Sequence, residues 1–403
     1  MPDGLGDDPL SSDIFKDVPL FREIQRVLFS STGPVNWELA RQVGIATAVG
    51  GEPDPEPTDE DRALLEQTVR AAELAVAELT GLEPPPDVTR VEPVRRARWV
   101  EANIEGLRAL FEPGAERLAT VMTEMERREL SDERLGGMEG MEGMEGMAGL
   151  GMMMQRMAPL LMGTQIGMVL GMLGRGVFGQ YELPVPRDRS ASLLFVVPNI
   201  AAFQADWDLP GDELRAWVAL HETTHAFQLG RDWVREYFLE QVRELAAGME
   251  FDLSGLEERL AELDLSDPAR LQEAVGDPGA LLGQQLTDEQ RLLMRRIQAL
   301  MAAAEGHADH VMGVLGRRML STYARIEEAR TRRREGRSEE ERAVERMLGF
   351  ELKQEQYRLG AEFCRVVAEA TDERRLSRMW ESREHLPSMP ELEEPTLWLS
   401  RMA

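Results

Sequence analysis

Apolar residues recur with helical spacing along most of the chain. Thr287–Gln290 has the pattern of a capping box, in which a Thr side chain and a Gln side chain each bond the backbone of the other residue. The apolar positions that follow, from Leu292 to Met301, keep the i, i+3, i+4 spacing of a buried helix face. We therefore predict a long helix here that ends near Leu320.

Further helices and one short β element complete the predicted fold. Thr58 is expected to cap a second long helix that runs to about Leu79. The continuous apolar run Leu193–Pro198 is the clearest strand, and Tyr181–Val185 is expected to pair with it as a small ribbon. The chain is therefore predicted to be mainly α, with a small β element.

The most apolar segment, Met157–Gly174, has to be assigned either to a membrane or to a core. Gly163, Gly167 and Gly171 form a ridge of small residues at every fourth position. Such a ridge lets another helix approach closely in either environment. Because the segment lies at the lower limit of a membrane-spanning length, we expect a buried core helix.

Composition shifts divide the chain into four predicted regions. Residues 1–12 are expected to be disordered, and residues 13–135 form an N-terminal helical region. Residues 136–154 contain repeated Met-Glu-Gly triplets and are predicted to be a flexible loop. Residues 155–403 are expected to hold a metal-binding region followed by C-terminal helices.

Charge and cysteine content restrict the partners and the compartment. The 403 residues carry a formal net charge of −27, which argues against binding to nucleic acid or to anionic membranes. The one cysteine, Cys364, cannot form an internal disulfide, so a reducing interior is the default. The N-terminal sequence shows no basic segment followed by an apolar one. We therefore expect a cytoplasmic protein, and its oligomeric state is left open.

The segment Val218–Phe227 carries the strongest chemical signal. Its two histidines, His221 and His225, are four residues apart, so on a helix both imidazoles lie on one face and can bind one metal ion. Glu222 lies about 100° further round the helix, beside the metal, where a general base belongs. The helix has a start signal before the motif and a stop signal after it, at Leu209–Asp212 and Leu229–Gly230.

A third ligand is expected from the helix that follows Thr287. Glu305 and Asp309 share one face of that helix, so Glu305 could bind zinc while Asp309 accepts the other ring N–H of a ligand histidine. His307 and His310 are alternative third ligands. They lie about 200° and about 140° from Glu305 around the helix, so each presents a different face.

These motifs together resemble the zincin-like metallopeptidase family of actinobacterial and related proteins, over roughly Val35–Trp398. Some members of that family are labelled as associated with the biosynthesis of a deazaflavin coenzyme. The resemblance implies zinc and a hydrolase, and it leaves the substrate open. It rests on the following segments: Val35–Trp37, Arg98–Asn103, Val177–Tyr181, Phe195–Ile200, Trp217–Glu222, Glu305–His310, Lys353–Tyr357 and Pro395–Trp398.

The sequence thus predicts a zincin-like helical core and a zinc-dependent hydrolase that cleaves a peptide or protein substrate. Glu222 would take a proton from the attacking water. The alternative is a catalytically silent protein of the same fold that binds a metal or a partner. The oxyanion of the transition state needs a hydrogen-bond donor, and the candidates are Tyr357, Tyr323, Tyr237, His307 and His310.

Overall fold

The computed structural model describes residues 35–84, 90–108, 141–181, 192–247, 287–336 and 350–403. It confirms the mainly α prediction. The chain forms two compact units, and each unit joins two separate stretches of sequence. The first contains the chain up to Asp54 together with Arg96–Gly176, and the second contains Pro55–Arg95 together with Val177–Ala403. The sequence had predicted contiguous regions, whereas the units are interleaved.

The first unit is built from three described helices: α1 (Trp37–Val49), α3 (residues 96–108) and α4 (Met141–Gly176). The Asn36 side chain caps α1 by accepting the Leu39 N–H at 2.9 Å. Helix α4 covers residues 141–154, so that part of the predicted Met-Glu-Gly loop is helical. Met and Glu are good helix formers, and here they outweigh the interspersed glycines.

The glycine ridge of α4 packs against α1, as predicted for a core helix. A Cβ atom on Gly167 would lie 2.5 Å from the backbone oxygen of Ala40, and one on Gly163 would overlap the backbone oxygen of Asn36. Only glycine therefore allows the two backbones to approach so closely. None of the described helices is long and apolar enough to cross a membrane.

The second unit contains the remaining described elements. Its helices are α2 (Asp59–Thr80), α5 (Val197–Asp206), α6 (Gly211–Leu229), α7 (Asp232–Ala247), α8 (Asp288–Met319), α9 (Tyr323–Glu335), α10 (Phe350–Ala370), α11 (Glu373–Ser377), α12 (Met389–Glu393) and α13 (Pro395–Arg401). Short 3-10 turns cover Arg378–Trp380 and Arg383–His385. The predicted capping box forms at Thr287 before α8, and Thr58, predicted to cap α2, does so through a capping box with Asp61.

The β element consists of two parallel strands, β1 (Val91–Val94) and β2 (Leu193–Val196). The prediction of β2 is confirmed, but its described partner is β1, which the sequence analysis did not predict. Residues 182–185, the predicted partner, lie outside the described residues. Gly179 makes a separate antiparallel bridge to Phe195 of β2. The sheet thereby holds the segment that leads into residue 181 beside the start of α5.

Helices α8 and α10 of the second unit pack with their backbones in close contact. A Cβ atom on Gly306 would overlap the backbone of Gly360, and one on Gly360 would overlap the backbone oxygen of Ala302. Cys364 is fully buried on α10, and burial raises the pKa of its thiol well above the ordinary value. It is the core residue that its apolar neighbours predicted. The predicted disorder of residues 1–12 lies outside the described residues.

Candidate metal centre

Helix α6 begins and ends where the sequence signals placed it. Asp212 and Glu213 occupy its first turn, where carboxylates favour the positive end of the helix dipole, and Gly230 follows its last residue. Its second half is almost completely buried even though several of its side chains are polar. Burial of a polar side chain is costly unless it is hydrogen-bonded. The buried polar residues are Glu222, Thr223, Thr224, His225 and Gln228, each at most 1% exposed.

Four side chains form a continuous row along one face of α6. The His221 ring stacks on Trp217, with ring centroids 5.7 Å apart and an angle of 21° between the planes. The His221 and His225 rings meet edge to face, with centroids 4.7 Å apart. Nδ1 of His225 lies 2.9 Å from Oε1 of Gln228. The two predicted metal ligands are therefore neighbours, as the helical spacing requires.

Glu222 is held beside this row by the segment that precedes the sheet. Its Oε2 accepts the backbone N–H of Tyr181 at 2.7 Å, and its Oε1 lies 3.3 Å from Nδ1 of His221. A Cβ atom on Gly179 would overlap the carboxyl carbon of Glu222, so only glycine fits at that position. The carboxylate of Glu222 thus adjoins His221 with one oxygen and is anchored by the backbone through the other.

His307 of α8 approaches the row from the opposite end. Its Nδ1 lies 2.9 Å from Nε2 of Gln228, and its Nε2 lies 3.2 Å from Oγ of Ser377. The side chain is only 1% exposed. Burial, and secondarily the charge of His310, lowers its pKa to about 3, so His307 is neutral near pH 7.

The other acidic and basic residues of α8 face different partners. Nε2 of His310 lies 2.7 Å from Oε2 of Glu373 at the start of α11. Asp309 is about half exposed, and its carboxylate pairs with Arg330 at 3.5 Å. Nδ1 of His225 faces Oε1 of Gln228, so the structure gives Asp309 a different partner from the ligand histidine that the sequence predicted. Asp309 shares a helix face with Glu305, and that face is turned well away from the one that carries His307.

The predicted tyrosine donors are spread over three helices. Tyr323 packs against Gly316, and burial raises its pKa to about 12. The guanidinium of Arg383 lies over the Tyr237 ring, 4.9 Å from the ring centroid. Burial raises the pKa of Tyr237. Tyr357 belongs to α10, but its side chain is outside the described residues.

Helix α9 covers the outer end of the row with arginines. Arg330 lies over the Trp217 ring at 5.4 Å from the centroid, and the indole N–H of Trp217 donates to Glu327 at 2.9 Å. Arg333 lies over Phe178 at 4.8 Å. Cation–π contacts of this kind stabilise the aromatic wall next to His221.

Two of the three proposed ligands, His221 and His225, are arranged as zinc requires. His221 and His225 offer two imidazoles on one helix face, which is the arrangement zinc accepts from an i, i+4 pair. Glu305 lies on α8, partly buried, and its role as the third ligand stays a prediction. Within the parts of the chain that the structure describes, no three His, Cys, Asp or Glu side chains converge closely enough to hold a metal.

Sequence reasoning missed two contributors to this site. Gln228 is a buried amide on the same helix face as His225, three residues later, and that spacing was a readable signal. The Gly179–Tyr181 segment was recognised only as part of a resemblance, because its contact with Glu222 joins residues more than forty positions apart in sequence.

Comparison with known proteins identifies the family of the chain. The family model described as zincin-like metallopeptidase matches residues 35–399. The crystal structure of a presumed hydrolase with a novel fold from Chloroflexus aurantiacus is similar, with 30% sequence identity and a TM-score of 0.62. That match covers 91% of this chain and 98% of the other. None of the curated proteins matches this chain. The chain belongs to the zincin-like metallopeptidase family.

Proposed function

We propose that this protein is a zinc-dependent hydrolase that cleaves peptide or other amide bonds. His221 and His225 would bind the metal through Nε2, Glu305 would be the third ligand, and Glu222 would act as the general base. The observation that carries the proposal is the contact row on α6, where the two imidazoles meet at 4.7 Å and the buried Glu222 carboxylate adjoins the first of them.

Family membership supports the metal, and the local geometry supports the roles. Zinc in such a site supplies Lewis-acid activation of water and of a carbonyl group. Glu222 is acceptor-only when ionised, so it is suited to receive a proton from water and return it to a leaving amine. The Tyr181 N–H fixes one of its oxygens, and the other oxygen lies 3.3 Å from Nδ1 of His221, the ring nitrogen that is not assigned to the metal.

Two of the predicted oxyanion donors are already engaged in the structure. His307 faces Gln228 and Ser377, while His310 faces Glu373. Of the five candidate donors, Tyr237, Tyr323 and Tyr357 therefore stay open for the oxyanion.

Replacement of the proposed base tests the function. Glu222→Gln keeps the size of the side chain but removes its basicity, so hydrolysis should fall by about 10²–10⁴-fold while zinc content stays unchanged. Suitable probes are fluorescein-labelled casein and a quenched-fluorescent peptide library. Asp212→Asn, an exposed acid in the first turn of the same helix, is the matched control and should retain full activity.

A second candidate function is metal binding without hydrolysis. It is favoured by the close packing of Glu222, whose carboxylate is 1% exposed and already bonded to backbone. If native protein binds zinc but cleaves neither probe, this candidate replaces the hydrolase. If Glu222→Gln is as active as the native protein, the assignment of the base is wrong.

A further inference from the structure

A chain of hydrogen bonds connects the backbone of α11 to His225. It starts at the carbonyl oxygen of Glu373, which lies 2.7 Å from Oγ of Ser377, and it continues through His307 and Gln228. It ends at Nδ1 of His225, 2.9 Å from Oε1 of Gln228. We call this series the His225 chain. Every side chain in it is at most 1% exposed, so water does not compete for its hydrogen bonds.

Starting from the Glu373 carbonyl, one can tell which group donates in each hydrogen bond of the His225 chain. A carbonyl oxygen can only accept, so the single hydroxyl proton of Ser377 must be donated to Glu373. The contact between Ser377 and His307 is therefore a hydrogen bond only if Nε2 of His307 carries a proton and donates it. Nδ1 of His307 faces the amide nitrogen of Gln228 at 2.9 Å, and an amide nitrogen can only donate, so Nδ1 is the acceptor.

The same reasoning extends to the metal-site histidine. Nδ1 of His307 accepts from the amide NH₂ of Gln228, which orients the amide so that its oxygen faces His225. An amide oxygen can only accept, so Nδ1 of His225 must carry a proton. In a neutral imidazole the lone pair is then on Nε2, which is the nitrogen that a zinc ligand of this spacing uses.

We infer that Gln228, His307 and Ser377 are positioning residues that hold His225 in the Nδ1–H tautomer and thereby prepare Nε2 for zinc. The role given to these residues rests on the proposed zinc site, but the tautomer of His225 is a property of the metal-free protein. If these buried polar groups only filled space, the donor and the acceptor of each hydrogen bond along the four side chains would not need to be fixed.

The first experiment measures the tautomer directly. Long-range ¹H–¹⁵N correlation spectra of zinc-free protein labelled with ¹⁵N-histidine separate protonated from unprotonated ring nitrogens. With five histidines in the chain, the signals can be assigned by single substitutions. Near pH 7 we expect His225 to be protonated on Nδ1 and His307 on Nε2. A His225 ring that is protonated only on Nε2 would overturn the inference, whether or not the protein binds zinc.

The second experiment breaks the His225 chain and measures zinc affinity by competition with a fluorescent chelator. Gln228→Leu removes both hydrogen bonds of the side-chain amide. His225 should then lose its single tautomer, and zinc affinity should fall by about 10–100-fold. Gln228→Glu keeps an acceptor for the His225 N–H, so it should stay within about 3-fold of native affinity. Thr224→Val is the matched control, because Thr224 is also buried on α6 but, among the described residues, its hydroxyl donates to the Leu220 carbonyl of its own helix.

Ser377→Ala provides a variant far from the metal site in case Gln228→Leu does not fold. It removes the hydroxyl that fixes which atoms donate in the His225 chain, so His307 should lose its single Nε2–H form in the spectra. Unchanged spectra in Ser377→Ala would contradict the inference, as would native zinc affinity in a folded Gln228→Leu protein. If the native protein shows the expected tautomers but binds no zinc, the proposed function fails and the positioning of His225 stands.

Discussion

Helices α4 and α6 each bury one face, but they do so with opposite chemistry. The α4 ridge uses glycines, so that the backbone of α1 lies directly against it. The buried half of α6 contains a carboxylate, two hydroxyls, an imidazole and an amide. Apolar packing by itself is the cheaper way to stabilise a helix, because each buried polar group must find a partner. The difference agrees with a packing role for α4 and with the chemical role that the proposed function gives to α6.

The largest expected effect concerns the packing helix. Gly167→Leu places a side chain where a Cβ atom would already lie 2.5 Å from the Ala40 oxygen, so the core becomes overpacked. Chemical denaturation should show a loss of about 1–3 kcal/mol or more in the free energy of unfolding. Met168→Leu is the matched control, since Met168 is about half exposed on the same helix and should cost almost nothing.

The zinc content of Gly167→Leu protein tests whether α4 and α6 have separate roles. If α4 serves packing only, the folded fraction of Gly167→Leu protein should still bind zinc as the native protein does. Native stability in Gly167→Leu would show that the ridge is not closely packed. Loss of zinc from fully folded Gly167→Leu protein would show that the two helices do not have separate roles.

A smaller effect is expected at Asp309. The sequence pattern selected this residue as the partner of a ligand histidine, but its carboxylate pairs with Arg330 and is half exposed. Exposed ion pairs of this type contribute little, so Asp309→Ala should change zinc affinity by less than about 3-fold. Chelator competition checks this, and a loss of about 10-fold or more would restore the role that the sequence assigned to it.

Local signals predicted much of this fold, because they depend on residues close together in sequence. The Thr287 capping box, the bounds of α6 and the glycine ridge were all readable from spacing. The pairing of β1 with β2 was not, because it joins segments about a hundred residues apart and β1 contains a proline.

The candidate site was predictable only in part for the same reason. The spacing of His221, Glu222 and His225 follows from one helix. Which face of α8 meets that helix depends on how α8 packs, and the Gly306–Gly360 contact that fixes part of this packing is long-range. Periodicity therefore grouped Glu305 with Asp309 correctly, but it could not show that His307 faces Gln228.

Zinc analysis of protein purified without chelator tests the central claim most directly. Elemental analysis should find about one zinc per chain in the native protein and in His310→Ala, and almost none in His225→Ala or Glu305→Ala. Loss of zinc in His310→Ala, with retention in Glu305→Ala, would make His310 the third ligand. Native protein without zinc, or His225→Ala protein with its full metal content, would contradict the account.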